Sequence, residues 1–305
     1  MAAPSDPNFL VKLGAFTKKN HRTLYSAIDP TQSELTQAGK VVVITGATRG
    51  LGQTAFAASF ARANAKAIAL LGRTVEGLAE TEKLIKEINP ATEVYSITVD
   101  VTDADGVAKA FEQIVARFGV PQVLINNAGV LASLGTTVES DIESWWKTQE
   151  VNIKGTFVVS KAFLSKIGGS PSAPTTILNL TSGAALGLPP GMSSYSIAKL
   201  AVTKFTAYLQ SEHPAITSVS LDPGVVATDM GNAVPFLAPF IGDTPELVGG
   251  TAVWLASGDK SFLSGRYLSV NWNVDELVEK KQAIVEENLL TIVYRGEFGG
   301  GEVVE

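Results

Sequence analysis

The chain has 305 residues, 45% of them hydrophobic, and carries 24 basic against 30 acidic side chains for a formal net charge of -6, an acidic balance with no long basic cluster that argues against nucleic acid as a partner. It has no cysteine and only two histidines, His21 and His213, which excludes disulfides, thiol nucleophiles and thiolate metal sites and leaves no basis for a histidine metal centre. The opening residues, MAAPSDPNFLVKLGAFTKKN, lack the basic start, apolar run and small-residue cleavage site of a secretory signal. No stretch reaches the roughly 18 uncharged apolar residues of a membrane span, so no membrane span is expected and the expected compartment is the cytoplasm.

Residues 1–39 contain the turn-rich AIDPTQSELTQAG and are expected to form an irregular N-terminal arm. From Lys40 onward, short apolar runs alternate with longer stretches of helical period. The runs are Val41–Thr45, Ala67–Leu71, Val94–Val99, Val123–Asn126, Thr176–Thr181, Ile216–Leu221 and Arg266–Val270. Several are apolar at consecutive positions, as strands covered on both faces must be. Helices are expected near Leu51–Ala63, Val75–Ile88, Ala104–Phe118, Asp141–Ile167, Ser194–Ser211 and Pro245–Ala256. Seven strands joined by helical crossovers give an α/β fold, a Rossmann-type doubly wound parallel seven-stranded sheet in a single domain, 40–272. In the C-terminal extension, 273–305, Val274, Leu277, Val278, Ile284, Val285 and Leu289 follow roughly helical spacing; such a tail helix would cover either the substrate cleft or a partner subunit.

The stretch TGATRGLG, Thr45 to Gly52, follows the first strand and opens the first helix. Gly46, Gly50 and Gly52 allow a tight turn and close backbone approach to phosphate, and the helix N-terminus adds free N–H groups and partial positive charge. At the end of the second strand the chain reads LLGRT, with Arg73 where a carboxylate would bind the ribose of NAD, and Arg49 adds a second cation. A guanidinium fork suits a 2′-phosphate, so the expected cofactor is NADP(H), with NAD(H) the weaker candidate.

These features converge with four more motifs: NNAG at Asn126–Gly129, Ser182 at the end of the fifth strand, YSIAK at Tyr195–Lys199 and DPG at Asp222–Gly224. In this order and spacing, over about Lys40 to Val270, the chain resembles the short-chain dehydrogenase/reductase family in its classical subgroup. Its arm and tail more loosely resemble those of fungal members, some from secondary metabolism. The resemblance implies Tyr195 as general acid/base, Lys199 as its cationic partner and ribose ligand, Ser182 as the hydroxyl that polarises the substrate oxygen, and Asn152 in EVNIKG as the residue that organises the lysine through water. For the cofactor it implies Gly46, Thr48, Arg49, Gly50, Leu51 and Gly52 in the loop and Arg73 beyond it. It adds Asp100 and Val101 beside the adenine, Asn126, Ala128 and Gly129 along the cofactor, and Pro223, Gly224, Val225 and Thr228 at the nicotinamide carboxamide.

The implied roles have a physical basis. A free phenol has a pKa near ~10, and an ammonium one helical turn away together with an oxidised nicotinamide would lower it. Residues 230–245, MGNAVPFLAPFIGDTP, correspond to the family's variable lid. There Val234, Phe236, Leu237, Phe240 and Ile241 either line the cleft, which implies a hydrophobic small-molecule carbonyl or alcohol, or pack inward. Trp145 and Trp146 belong either to the core or to an interface, and the resemblance implies a homodimer or homotetramer. The expected activity is interconversion of a carbonyl and an alcohol, of the secondary-metabolite kind. The alternatives are a dinucleotide-binding sensor or scaffold, or a non-redox step in the same cleft.

Overall fold

A computed structural model of the chain describes residues 6–168 and 173–293. Residues 1–5 of the expected arm and 294–305 of the expected tail lie outside the described residues. Seven strands, β1 (Val41–Thr45), β2 (Ala67–Gly72), β3 (Glu93–Thr98), β4 (Val123–Asn126), β5 (Thr176–Leu180), β6 (Thr217–Asp222) and β7 (Arg266–Ser269), make one sheet. All pairings are parallel and the order is β3-β2-β1-β4-β5-β6-β7. The strand order reverses between β1 and β4. The crevice outside the strand ends at such a reversal is where open α/β sheets bind ligands.

Strands β1 and β2 are unbroken, fully buried runs of mostly apolar residues because both faces are covered, whereas the edge strand β3 is partly exposed. Along β1, Val42 and Ile44 enter one core and Val41 and Val43 the other. The first core takes side chains from the helical segment after β1 and from the helix Pro245–Leu255, and the second from Ala104–Phe118 and Thr156–Ile167. Ile28 and Leu35 of the arm and Val274, Leu277 and Ile284 of the tail are buried in the first core. The arm and tail therefore complete one face of the body.

Three expectations change in detail. The helix after β1 begins as a wide π turn over Gly52–Ala57 before the α-helical Ala58–Arg62. The helix expected over 141–167 likewise runs as Ile142–Gln149, a π-helical Glu150–Gly155 and Thr156–Ile167. Such π turns are common at functional sites, and the second one contains Asn152. The tail is two short helices, Val274–Glu279 and Lys281–Glu286, that turn at Lys280 and pack on the chain's own body. Val274, Leu277 and Ile284 of its apolar set are buried while Val278 and Val285 are half exposed, and Tyr267 of β7 donates its N–H to the Leu290 carbonyl at 2.9 Å. Among the described residues no helix is long and apolar enough to cross a membrane.

Candidate active site

The glycine loop is held in place before any ligand arrives. Ala47 donates its N–H to the Leu71 carbonyl at 3.1 Å, and the Thr81 hydroxyl donates to the Ala47 carbonyl at 2.7 Å. Gly46 has φ +63 and Gly50 φ +56, in the left-handed region that a side chain disfavours. A Cβ on Gly46 would lie 2.8 Å from the Ala128 Cα, and one on Gly52 would meet the Gly46 carbonyl oxygen. Loop and NNAG segment are thus packed backbone to backbone. Thr48 stands against Gly72 and Gly77, where it fixes the far side of the turn. Leu51, partly buried, packs against the first core.

The two asparagines of NNAG divide their work. The buried Asn126 donates to Ser160 Oγ at 2.9 Å and Asn179 Oδ1 at 2.8 Å, and Asn179 continues to Thr206 at 2.9 Å. Its side chain points into the body, so the expected cofactor contact does not come from that amide. Asn127 faces the loop instead and donates to the carbonyls of Thr45 at 2.9 Å and Gly46 at 3.1 Å. The Thr45 hydroxyl accepts the N–H groups of Asn127 and Ala128 at 3.1 and 3.0 Å. Sequence reading placed Asn127 and Thr45 inside the NNAG and TGATRGLG motifs but gave neither this supporting role.

Asn152 is buried and paired twice with one backbone residue: its amide donates to the Val130 carbonyl at 2.9 Å and its Oδ1 accepts the Val130 N–H at 2.8 Å. It therefore fixes the strand-like segment after Gly129. A Cβ on Gly129 would come within 3.2 Å of Asn152 Oδ1 and 3.5 Å of Lys199 Nζ, so the absence of a side chain there keeps open the space beside both.

The helix Ser193–Glu212 carries Tyr195 and Lys199 one turn apart, and Lys199 Nζ lies 5.5 Å from the centre of the Tyr195 ring. Lys199 is 5% exposed and donates to the Leu180 carbonyl at 2.7 Å. Burial lowers its pKa to about 8. Thr181 ties the helix to the end of β5 by donating to the Lys199 carbonyl at 3.1 Å. Ser182 follows in extended backbone, and its oxygen accepts the Ala184 N–H at 3.2 Å.

Tyr195 departs from expectation. Burial first, and the Asp222 carboxylate second, push its phenol well above the ordinary range, while the neighbouring Ser182 hydroxyl acts in the opposite direction. In the protein alone the phenol is held protonated rather than poised to ionise. Asp222 is itself buried, and burial raises its pKa. Its carboxylate accepts the Tyr267 hydroxyl at 2.6 Å and the Gly224 N–H at 3.2 Å.

Charges at the opposite end of the crevice stand in water. Arg49 pairs with Asp229 at 3.1 Å, with both side chains 76% exposed. Arg73 is exposed at the end of β2. Asp100 is held below its usual carboxylate range: burial pushes it up, but hydrogen bonds from the Thr102 N–H (2.8 Å) and hydroxyl (2.7 Å), with the charges of Arg73 and Lys147, outweigh that. Val101 is buried beside it and touches Gly155, in the π turn that holds Asn152.

The turn Pro223–Thr228 closes the crevice from the β6 side. Thr228 caps the short helix Asp229–Asn232 by accepting the Gly231 N–H at 3.1 Å, and its methyl would lie 3.8 Å from a Cβ on Gly50. Of the five apolar lid side chains, Val234 and Phe240 are buried, whereas Phe236 is 44% exposed. Phe240 stands 6.3 Å from Phe9 of the arm, ring centre to ring centre. Trp145 donates to Ser193 Oγ at 3.1 Å, next to the Tyr195 helix turn, and Trp146 is 61% exposed on an open apolar groove with Phe157, Val202 and Phe205.

A sequence model of the short chain dehydrogenase family matches residues 40–235. A short chain dehydrogenase of Monascus purpureus is 35% identical over 301 residues, covering 96% of this chain and 99% of its own length. One from Aspergillus terreus is 35% identical over 291 residues, 91% of this chain and 62% of the relative. Among solved structures, a short chain dehydrogenase from Pseudomonas syringae superposes with a TM-score of 0.72 at 25% identity, covering 79% of this chain and 98% of its own.

Proposed function

The chain belongs to the short chain dehydrogenase family, and from that premise we propose that it is an NADP(H)-dependent reductase of a hydrophobic small-molecule ketone or aldehyde. The observation that carries this reading is the convergence of Ser182, Tyr195 and Lys199 at the strand ends, beside a glycine cradle that a single Cβ would fill. The cradle fits a dinucleotide: backbone packed too closely for side chains, N–H groups at a helix start, and exposed arginines at the adenosine end. Gly46 to Gly52 would hold the pyrophosphate, Arg73 and Arg49 the 2′-phosphate, Asp100 and Val101 the adenine, and Ala128, Gly129 and Lys199 the ribose nearest the reacting ring. Pro223, Gly224, Val225 and Thr228 would take the carboxamide. Asn126 supports this surface from within.

The bound nicotinamide supplies the hydride. The chain's own residues handle the oxygen: as negative charge develops there, Ser182 and Tyr195 donate hydrogen bonds to it, and Tyr195 gives up its proton. A phenol held protonated by burial and by Asp222 suits the acid role required for reduction. Lys199, charged below about pH 8, would stabilise the phenolate left behind. Asn152 acts by fixing Val130 and the wall beside Lys199.

Exposed Phe236, with the partly buried Leu237 and Ile241, offers an apolar surface to the substrate, while Val234 and Phe240 anchor the lid. The groove at Trp146 and Phe157 is the proposed homo-oligomer contact, and the cytoplasm the proposed compartment. The test is NADPH consumption over a panel of ketones, aldehydes and quinones. At least one compound is expected to be reduced with preference for NADPH over NADH; tight NADPH binding with no turnover of any would favour a cofactor-binding sensor.

A further inference from the structure

We propose that Arg22 of the N-terminal arm is a positioning residue for the turn 223–228, acting through the Asp243 carboxylate, so that the arm preforms the nicotinamide end of the cofactor site. The inference rests on the proposed reading of that turn as the carboxamide holder. Arg22 Nε donates to Asp243 Oδ1 at 2.9 Å, with side-chain exposures of 20% and 1%. The same Oδ1 accepts the Asn271 amide at 2.8 Å, and Oδ2 accepts the Val225 N–H at 2.6 Å. In return the Val225 carbonyl accepts the N–H groups of Gly242 and Asp243 at 3.1 and 3.2 Å. Gly224, at φ +70, lies so close that a Cβ there would strike the Asp243 carboxylate.

The remaining donors of Arg22 reach the Phe240 carbonyl in the lid and, within the arm, the Pro7 carbonyl at 3.1 Å and Asn8 Oδ1 at 3.2 Å. Thr244 donates its N–H to the Arg22 carbonyl at 2.9 Å. One guanidinium thus joins the arm, the end of the lid and, through one carboxylate, the turn. A buried carboxylate needs a compensating cation, and only a planar fork serves both Asp243 and Phe240 at once. The family match spans residues 40–235, so both Arg22 and Asp243 lie outside it.

The test compares two probes by calorimetric titration: NADPH, and 2′,5′-ADP, which lacks the nicotinamide half. Arg22→Gln is expected to weaken NADPH roughly tenfold, the scale of a small displacement in a binding geometry, while 2′,5′-ADP changes by less than about twofold. Arg22→Lys, which keeps the charge and loses the fork, is expected to recover part of the NADPH affinity. Because Arg22→Gln leaves a buried charge uncompensated, the double variant Arg22→Gln/Asp243→Asn is the control for folding; it should melt near the parental temperature and keep the selective loss. Equal weakening of both probes, or unchanged NADPH binding, overturns the inference while leaving the proposed function in place. If the parental protein binds neither probe, the proposed function fails and the inference fails with it.

Discussion

At the proposed adenosine end of the crevice Arg73 and Arg49 stand in solvent, Arg49 paired with Asp229 just past the 223–228 turn, whereas at the proposed reacting end Lys199, Asp222 and Asp243 are buried. The difference teaches what each end is built to do. An exposed pair such as Arg49 and Asp229 contributes at most about 1 kcal/mol, so Arg49 would exchange it for the proposed cofactor's phosphate at little cost. Buried charges carry a desolvation penalty that changes their chemistry: Lys199 titrates near 8, and the Tyr195 phenol is driven up beside Asp222. In the proposed function one end would select the ligand with charges that are easily given up, and the other would fix protonation states.

Substitutions at the two ends should therefore differ in size and kind. Lys199→Met, at the buried end, is expected to lower kcat for carbonyl reduction on the order of 10³-fold, with a smaller loss of NADPH affinity. Steady-state kinetics and titration separate the two effects, and a loss below tenfold would break the contrast.

The pH dependence follows from the same burial. The Lys199 pKa is lowered to about 8, so its charge is present below that pH and lost above it, while the raised phenol keeps its proton throughout. Accordingly kcat/KM for reduction should fall as pH rises through about 8, approaching tenfold per unit, and the residual activity of Lys199→Met should lack that inflection. A profile flat from neutrality to pH 9 would contradict this.

At the exposed end, Arg73→Ala is expected to cut the NADPH over NADH preference by about tenfold, with kcat on NADPH at saturation nearly unchanged. The smallest effect belongs to Asp229→Asn, which frees Arg49: NADPH should bind slightly tighter, by less than about threefold, and added salt should erase the gain. A large change in kcat from either would mean that the two ends are not separable.

The body, and the motif residues that gather at its strand ends, were legible in the sequence because each piece falls in a short window. Strands covered on both faces announce themselves as apolar runs; loop, NNAG, Ser182 and DPG lie at strand ends, and YSIAK lies in the helix Ser193–Glu212. What was hidden depends on partners far away in sequence. Asn126 and Asn127 are adjacent and chemically identical, yet one faces the core because Ser160 and Asn179 wait there. Arg22 reads as an ordinary arm charge until it meets Asp243, 221 residues later. The raised Tyr195 phenol likewise follows from burial and from Asp222, not from the Tyr-Lys spacing. Helical spacing in the tail was real, but it breaks at Lys280 into two short helices.

The central claim, that Tyr195 delivers the proton in an NADPH-dependent carbonyl reduction, is tested most directly by Tyr195→Phe, with turnover of the best compound of the carbonyl panel and NADPH affinity measured on the same preparation. The account predicts parental NADPH binding within about twofold and turnover reduced by roughly 10³-fold or more; turnover at the parental rate with intact binding would contradict it.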